Sequence, residues 1–125
     1  MLNRNIIIRD MIRFVKGNLL ESTAQALVNT VNTVGVMGKG IALQFKEAYP
    51  NNYILYRKAC KDKLVQVGSM FITQEQNIYG NDKIIVNFPT KTTWRKPSEY
   101  SYIEMGLKDL KDKILEYHIE SIAIP

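Results

Sequence analysis

Cysteine is nearly missing from this chain. Its single copy, Cys60, has no partner for an internal disulfide and no metal-ligating neighbour at a useful spacing. A reducing, cytoplasmic setting is the expectation. Long hydrophobic runs are missing as well. Nothing approaches the ~18 apolar residues that span a bilayer, and the isoleucines of "MLNRNIIIRD" are too few for the core of a signal peptide. No membrane partner is expected. Histidine occurs once, as His118 at the end of an expected helix, where a surface cap is the natural role. No His, Cys or paired-carboxylate constellation stands out, and no metal or redox cofactor is implied. Acidic residues are outnumbered, 12 against 17 Lys and Arg, leaving a formal charge of +5. That excess favours anionic partners such as nucleic acid or a nucleotide, although a generic lysine-rich surface gives the same count.

What remains is enough for one globular domain over residues 1–125, with 46% apolar residues to fill its core. "MIRFVK", Met11 to Lys16, reads as a first strand, and "GNLLESTAQ" as a turn with a short helical piece. "ALVNTVN" is a β-rich buried run. A helix follows from Gly38 until Pro50 stops it. A second helix starts at an asparagine cap in "NNYILYRKACKDK", with Tyr53, Leu55, Tyr56 and Ala59 on its apolar side. "GSMFITQE" and "KIIVNFP" are strands joined by the turn "NIYGND". Ser98 is the expected N-cap of the longest helix. There Ile103, Leu107, Leu110, Ile114 and Tyr117 face the core, while Lys108, Asp109, Lys111 and Asp112 face solvent. "SIAIP" closes the chain as a short strand. Strands without polar alternation, separated by helices, indicate an α/β sheet covered on both faces. In such sheets ligands bind beyond the strand C-termini, where Asn29, Asn32, "NFPTK" and "AIP" converge.

The stretch "ALVNTVNTVGVMGKGIALQF" carries the chemistry. Two asparagines three apart end a strand, and Gly35, Gly38 and Gly40 follow before a helix. Glycines let backbone approach a ligand with no Cβ in the way. A helix N-terminus behind them suits phosphate. Two familiar phosphate loops do not match. A P-loop needs four residues between Gly and Gly-Lys and then Ser or Thr. The dinucleotide fingerprint needs G-x-G-x-x-G, whereas this chain has G-x-x-G-x-G.

The same stretch resembles the macrodomain signature, an Asn-x-x-Asn strand end running into a glycine-rich, ribose-contacting loop. "KGNLLES" stands where that family has its Gly-Asp-Ile-Thr turn. "VNTVNTVGVMGKGIALQFK" together with "NFPTKTTWR" is similar to the macrodomains of DNA ADP-ribosyl glycohydrolase antitoxins, the DarG type, related to the terminal ADP-ribose glycohydrolase branch. The resemblance runs from Met11 onward. It implies a three-layer α/β/α fold with a mixed, mostly parallel sheet. Family members continue past the position of Pro125 into a second phosphate loop, so the C-terminal part of the fold is expected to be absent from this chain.

The resemblance also implies a ligand, ADP-ribose, and an assignment of residues. Contacts would come from Asn18, Leu19, Asn29, Thr30, Asn32, Gly35, Val36, Met37, Gly38, Gly40, Pro89, Thr90 and Pro125. Asn18 replaces the family's adenine-binding aspartate with an uncharged acceptor. Asn32 would grip the distal ribose, because an amide offers both donor and acceptor to a diol. Asn29 would support the loop, its simpler reading being a structural hydrogen bond to neighbouring backbone. Lys91, by itself an ordinary solvated lysine past a strand end, becomes the catalytic residue with Asn32, as nucleophile or as proton shuttle. Trp94, Arg95 and Lys96 combine stacking with charge, as single strands require; Tyr100 and Tyr102 extend that surface. The implied activity is removal of ADP-ribose from single-stranded DNA, at thymidine, reversing a toxin that would be the partner of a domain outside this chain. A non-catalytic ADP-ribose reader and an ADP-ribose 1″-phosphate phosphatase are the alternatives.

Overall fold

The computed structural model describes residues 12–125. Its centre is a four-stranded sheet of β1 (Ala26–Asn32), β2 (Phe71–Gln76), β3 (Asp82–Lys91) and β4 (Ile122–Ala123), ordered β2-β3-β1-β4. β1 runs parallel to β3 and to β4, and β2 is antiparallel to β3. The sheet is therefore mixed and mostly parallel, as expected.

Side-chain alternation along β1 and β3 sorts the core onto two faces. Ala26, Val28, Ile84, Val86 and Phe88 pack with Leu110 and Ile119. That layer belongs to helix α3 (Tyr100–Glu116). Gly106 lets α3 lie close to β3, because a Cβ there would collide with the Phe88 ring. On the other face Leu27 and Ile85 pack with Phe45 and Tyr49, and Val31 packs with Met37 and Tyr56. Those aromatics come from α1 (Gly40–Ala48), from α2 (Pro50–Lys61) and from Tyr49 between them. Helices thus cover both faces of the sheet, and the three layers are present.

Several local expectations need correction. Residues 12–16 form no strand; they pair with nothing in the sheet, and Ile12, Phe14 and Val15 are exposed. Apolar content alone could not tell a paired strand from an exposed extended segment, and Met11 lies outside the described residues. Pro50 does not simply stop α1. It opens α2 at the first helical position, where a missing N–H costs nothing. The cap is Tyr49 rather than an asparagine, and Asn52 is buried while Leu55 is exposed. Glu99, not Ser98, is the N-cap of α3. Leu107 and Tyr117 turn outward, whereas Asp109 accepts the Met70 N–H at 2.7 Å. The helix therefore presents a narrower apolar stripe than its leucines suggest. The C-cap of α3 is Tyr117 rather than His118, which follows it in the left-handed region at φ 52°. Among the described residues no helix is long and apolar enough to cross a membrane.

Candidate functional site

Parallel pairing brings the ends of β1 and β3 to one edge of the sheet. Asn32 is the register partner of Lys91, after an irregularity between Val31 and Asn32. Beyond the strands the two loops stay joined, because Thr33 Oγ1 donates to the Thr92 carbonyl at 2.8 Å. The expected convergence of the Asn32 loop and the Lys91 loop is therefore present.

Asn32 organises its own loop. Its Oδ1 accepts the N–H groups of Val34 and Gly35 at 3.1 Å and of Val36 at 3.3 Å. Its Nδ2 donates to the Val36 carbonyl at 2.8 Å. The Tyr56 hydroxyl lies 2.8 Å from the Asn32 carbonyl and 2.9 Å from Oδ1, sharing its proton between them. One amide thus folds residues 33–36 into a tight loop and ties it to α2. Its acceptor is filled, so the hydrogen-bonding capacity left for a sugar is a single N–H. Gly35 adopts φ 90°, which a side chain would resist, and sits close enough to α2 that a Cβ would lie 3.4 Å from Cys60 Cβ. Val36, Gly38 and Gly40 are exposed at the surface of this loop, and no side chain caps the first-turn N–H groups of α1.

Beneath the loop is a buried layer. Asn29, Met37 and Pro89 are all buried. Asn29 Nδ2 donates to Asn87 Oδ1 at 3.4 Å and lies 3.8 Å from Met37 Sδ, so its partners are side chains rather than the neighbouring backbone expected. Its Oδ1 has no partner among the described residues. Asn87 also exchanges hydrogen bonds with Asn52, at 3.2 and 2.8 Å, and Asn52 Oδ1 accepts from Thr73 at 2.6 Å. This buried amide network links β1, β2, β3 and α2 directly under the site. The sequence alone does not single out Asn52, Asn87 or the Tyr56 hydroxyl. The signal it offers is a polar residue in the middle of an apolar strand or helix face, as in "IIVNF".

Lys91 is half-buried at the end of β3. Thr30 and Thr90 are half-buried near the same strand ends. The loop after Lys91 is held by Thr93 Oγ1, which accepts the N–H groups of Arg95 and Lys96 at 3.2 and 3.3 Å. Trp94 is 50% exposed, with the Arg95 guanidinium stacked 4.5 Å from its ring. Trp94, Arg95 and Lys96 thus form one exposed surface rather than a cover on the core.

Three residues assigned from the resemblance come from other segments of the chain. Asn18 caps a 3-10 turn, Leu19–Glu21, accepting the Leu20 N–H at 3.0 Å. The segment after that turn is pinned by Lys83, whose Nζ donates to the carbonyls of Ser22 and Ala24 at 2.9 and 2.6 Å. Burial pushes the Lys83 pKa down. Leu19 packs against the Phe45 cluster. At the other end of the chain β4 pairs in parallel with β1 as far as Ala123 opposite Leu27, and Ala123 lies two residues before Pro125. Among the described residues no group of three His, Cys, Asp or Glu could hold a metal.

The fold and loop have close counterparts. A "DNA ADP-ribosyl glycohydrolase" of Thermus aquaticus is 56% identical over 115 residues, which is 92% of this chain and 32% of that protein. The chain therefore spans about a third of the length of the curated relatives it matches. The solved macrodomain of Mycobacterium tuberculosis DarG superposes with a TM-score of 0.87 at 52% identity, covering 92% of this chain and 75% of that one. Thermosipho africanus DarTG, solved in complex with ADP-ribose, superposes with a TM-score of 0.80 at 33% identity, over 87% of this chain and 31% of that one. The family model "Macro domain" matches residues 28–125, and the chain belongs to the macrodomain family.

Proposed function

We propose that this macrodomain binds ADP-ribose along the Asn32–Lys91 edge and hydrolyses the N-glycosidic bond that joins ADP-ribose to a base of single-stranded DNA, with thymidine as the modified nucleoside. The observation that carries the reading is the register of Asn32 with Lys91, a half-buried lysine beside the loop that Asn32 organises. In this reading the exposed backbone of Gly38 and Gly40 approaches the distal ribose and phosphates, and the start of α1 faces their charge. Lys91 then acts at the anomeric carbon. The C1″–N bond breaks with its electron pair on the base nitrogen, which takes up a proton. A water oxygen ends on C1″, either directly with Lys91 moving the proton or after Lys91 Nζ has formed and lost a bond to C1″. Asn32 contributes by holding the loop and by its remaining N–H. Trp94 stacks on a neighbouring base while Arg95 and Lys96 meet phosphates.

Similarity supports this reading: relatives at 52–56% identity bear the name DNA ADP-ribosyl glycohydrolase. The fusion protein of Thermosipho africanus joins a DNA ADP-ribosyl transferase to a DNA ADP-ribosyl glycohydrolase. A linked or cognate transferase, whose modification this domain reverses, is the partner the reading implies.

The test is Lys91→Ala on ADP-ribosylated single-stranded oligonucleotide under single-turnover conditions. Release of ADP-ribose should slow at least ~100-fold, the scale of a lost acid–base or nucleophilic group, while ADP-ribose affinity by calorimetry stays near wild type. Lys91→Arg should fail as well, since guanidinium stays protonated. Wild-type turnover by Lys91→Ala would make the domain a reader or move the chemistry elsewhere.

A further inference from the structure

The Asn32 loop also borders α2. Between residues 33–38 and α2 runs an open groove of about 1060 Å³. Its floor is apolar: Val34, Val36 and Ile54 line it and are exposed, Ile54 at 60%. Its rim is cationic, from Lys46, Arg57, Lys58, Lys61 and Lys63, and no carboxylate lines it. Residues 54, 57, 58 and 61 recur at helical spacing, so α2 presents them on one face. Tyr53 adds an aromatic ring, already covered by the Lys46 ammonium at 4.7 Å.

A folded domain gains nothing in stability from five like charges round an apolar trough; their mutual repulsion opposes folding. Apolar and aromatic surface beside a row of cations is what a single-stranded polynucleotide needs, bases on the floor and phosphates on the rim. A duplex hides its base faces and has no use for the floor. The groove also begins where the chemistry ends. Thr33 lines it, and Thr33 Oγ1 holds the carbonyl of Thr92, the residue after Lys91.

We infer that this groove is the track for the DNA strand leaving the modified nucleotide, so that the strand crosses from Lys91 past Thr33 and onto α2. The inference rests on the proposed function for its modified nucleotide, but strand binding can be measured without it. The Trp94 loop then grips one flank of the nucleotide and α2 the other. Specificity for a polymer over a free nucleotide arises on α2.

The experiment is anisotropy of a labelled, unmodified thymidine oligomer of about 15 nucleotides, near the upper site size for one single-strand module. Wild type should bind with steep salt dependence. Lys58→Glu/Lys61→Glu, both exposed, should weaken binding at least about tenfold and flatten the slope of log K against log salt by about 1.4, roughly 0.7 per cation lost. Circular dichroism checks that the variant is folded; Lys58→Gln/Lys61→Gln serves if it is not. Duplex of equal length should compete poorly. Release of ADP-ribose from a modified mononucleotide, too short to reach α2, should keep its wild-type rate, while KM on a modified oligomer rises. Unchanged oligomer affinity and slope in the variant would overturn the inference and leave the charge to a protein partner. Equal competition by duplex would overturn it too. Should wild type release ADP-ribose from neither substrate, the glycohydrolase reading fails, and the unmodified oligomer still judges the groove.

Discussion

The two loops that leave the sheet side by side are built on opposite plans. After β1, residues 33–36 wrap round the Asn32 amide, which satisfies three backbone N–H groups and one carbonyl, and Tyr56 clamps the knot to α2. After β3, the chain is held by Thr92 and Thr93 and displays its side chains outward. One loop spends its polar groups on its own shape. The other keeps Lys91, Trp94, Arg95 and Lys96 available. The proposed function uses both: a rigid wall would define where the anomeric carbon lies, and a reactive wall would supply the group that meets it.

If that division is right, the two walls fail differently when cut. The largest loss of stability should follow Asn32→Ala. It strands the N–H groups of Val34, Gly35 and Val36 and the Val36 carbonyl, while the Tyr56 hydroxyl keeps the backbone carbonyl of residue 32, and although part of that set can find water, a cost of about 3 kcal/mol is expected. Urea unfolding should show it as a lower midpoint, and ADP-ribose affinity should fall with the loop. Lys91→Ala, by contrast, removes a side chain for which the structure shows no hydrogen bond among the described residues, and its stability should stay within ~0.5 kcal/mol of wild type while the rate collapses. Equal stability losses in the two variants would erase the distinction between the walls.

Much of this plan is legible in the sequence itself. The strand ending in Asn29 and Asn32, its glycine loop, the helix behind it and the strand ending near Lys91 are local patterns, and the sheet brings them together as their order implies. The motif resemblance reaches the family, which the family model and the relatives bear out. What the sequence hides is what depends on partners far along the chain. Asn32 reads only as a ligand group, and its part in shaping the loop shows once Tyr56, 24 positions on, is seen to share its oxygen. Asn52 reads as a helix-cap residue until Asn87 and Thr73 are found around it. Residues 12–16 read as a strand because β propensity is a property of residues, whereas a strand is a property of pairs. Leu107 reads as core because a helical period is visible in the sequence but the side on which the sheet lies is not.

Within the rigid wall the glycines sharpen the comparison. Gly35→Ala forces a side chain onto φ 90° and against Cys60, at 3.4 Å. A loss of about 1–2 kcal/mol is expected, the usual cost of left-handed backbone with a Cβ. Gly38 has no such angle, and a Cβ there meets only Val36 Cγ1, also at 3.4 Å. Gly38→Ala should leave the unfolding midpoint nearly unchanged and weaken ADP-ribose instead, because the added carbon stands where the ligand approaches. Calorimetry and unfolding on both variants separate the two roles. A Gly38→Ala protein that binds ADP-ribose normally would remove that residue from the ligand surface.

The smallest effect concerns the clamp itself. Tyr56→Phe deletes only the hydroxyl, and Asn32 Oδ1 keeps its three N–H donors, so about 1 kcal/mol at neutral pH is expected. Alkali should then reverse part of that difference. Burial is the main cause that pushes the Tyr56 pKa well above its ordinary 10.0. In the unfolded chain the phenol ionises near ~10. Above that pH the unfolded state gives up a proton that the folded state retains, and stability falls as pH rises. Below it the contribution of Tyr56 is whole. The variant has no phenol at this position, so its stability should decline less steeply above pH ~10, leaving only residues such as Tyr49, whose pKa is raised first by burial and then by Glu75. Urea unfolding of both proteins across that range should give two curves that converge in alkali. Curves that stay parallel would mean that Tyr56 ionises as freely in the fold as outside it, and that the wall it clamps is open to water.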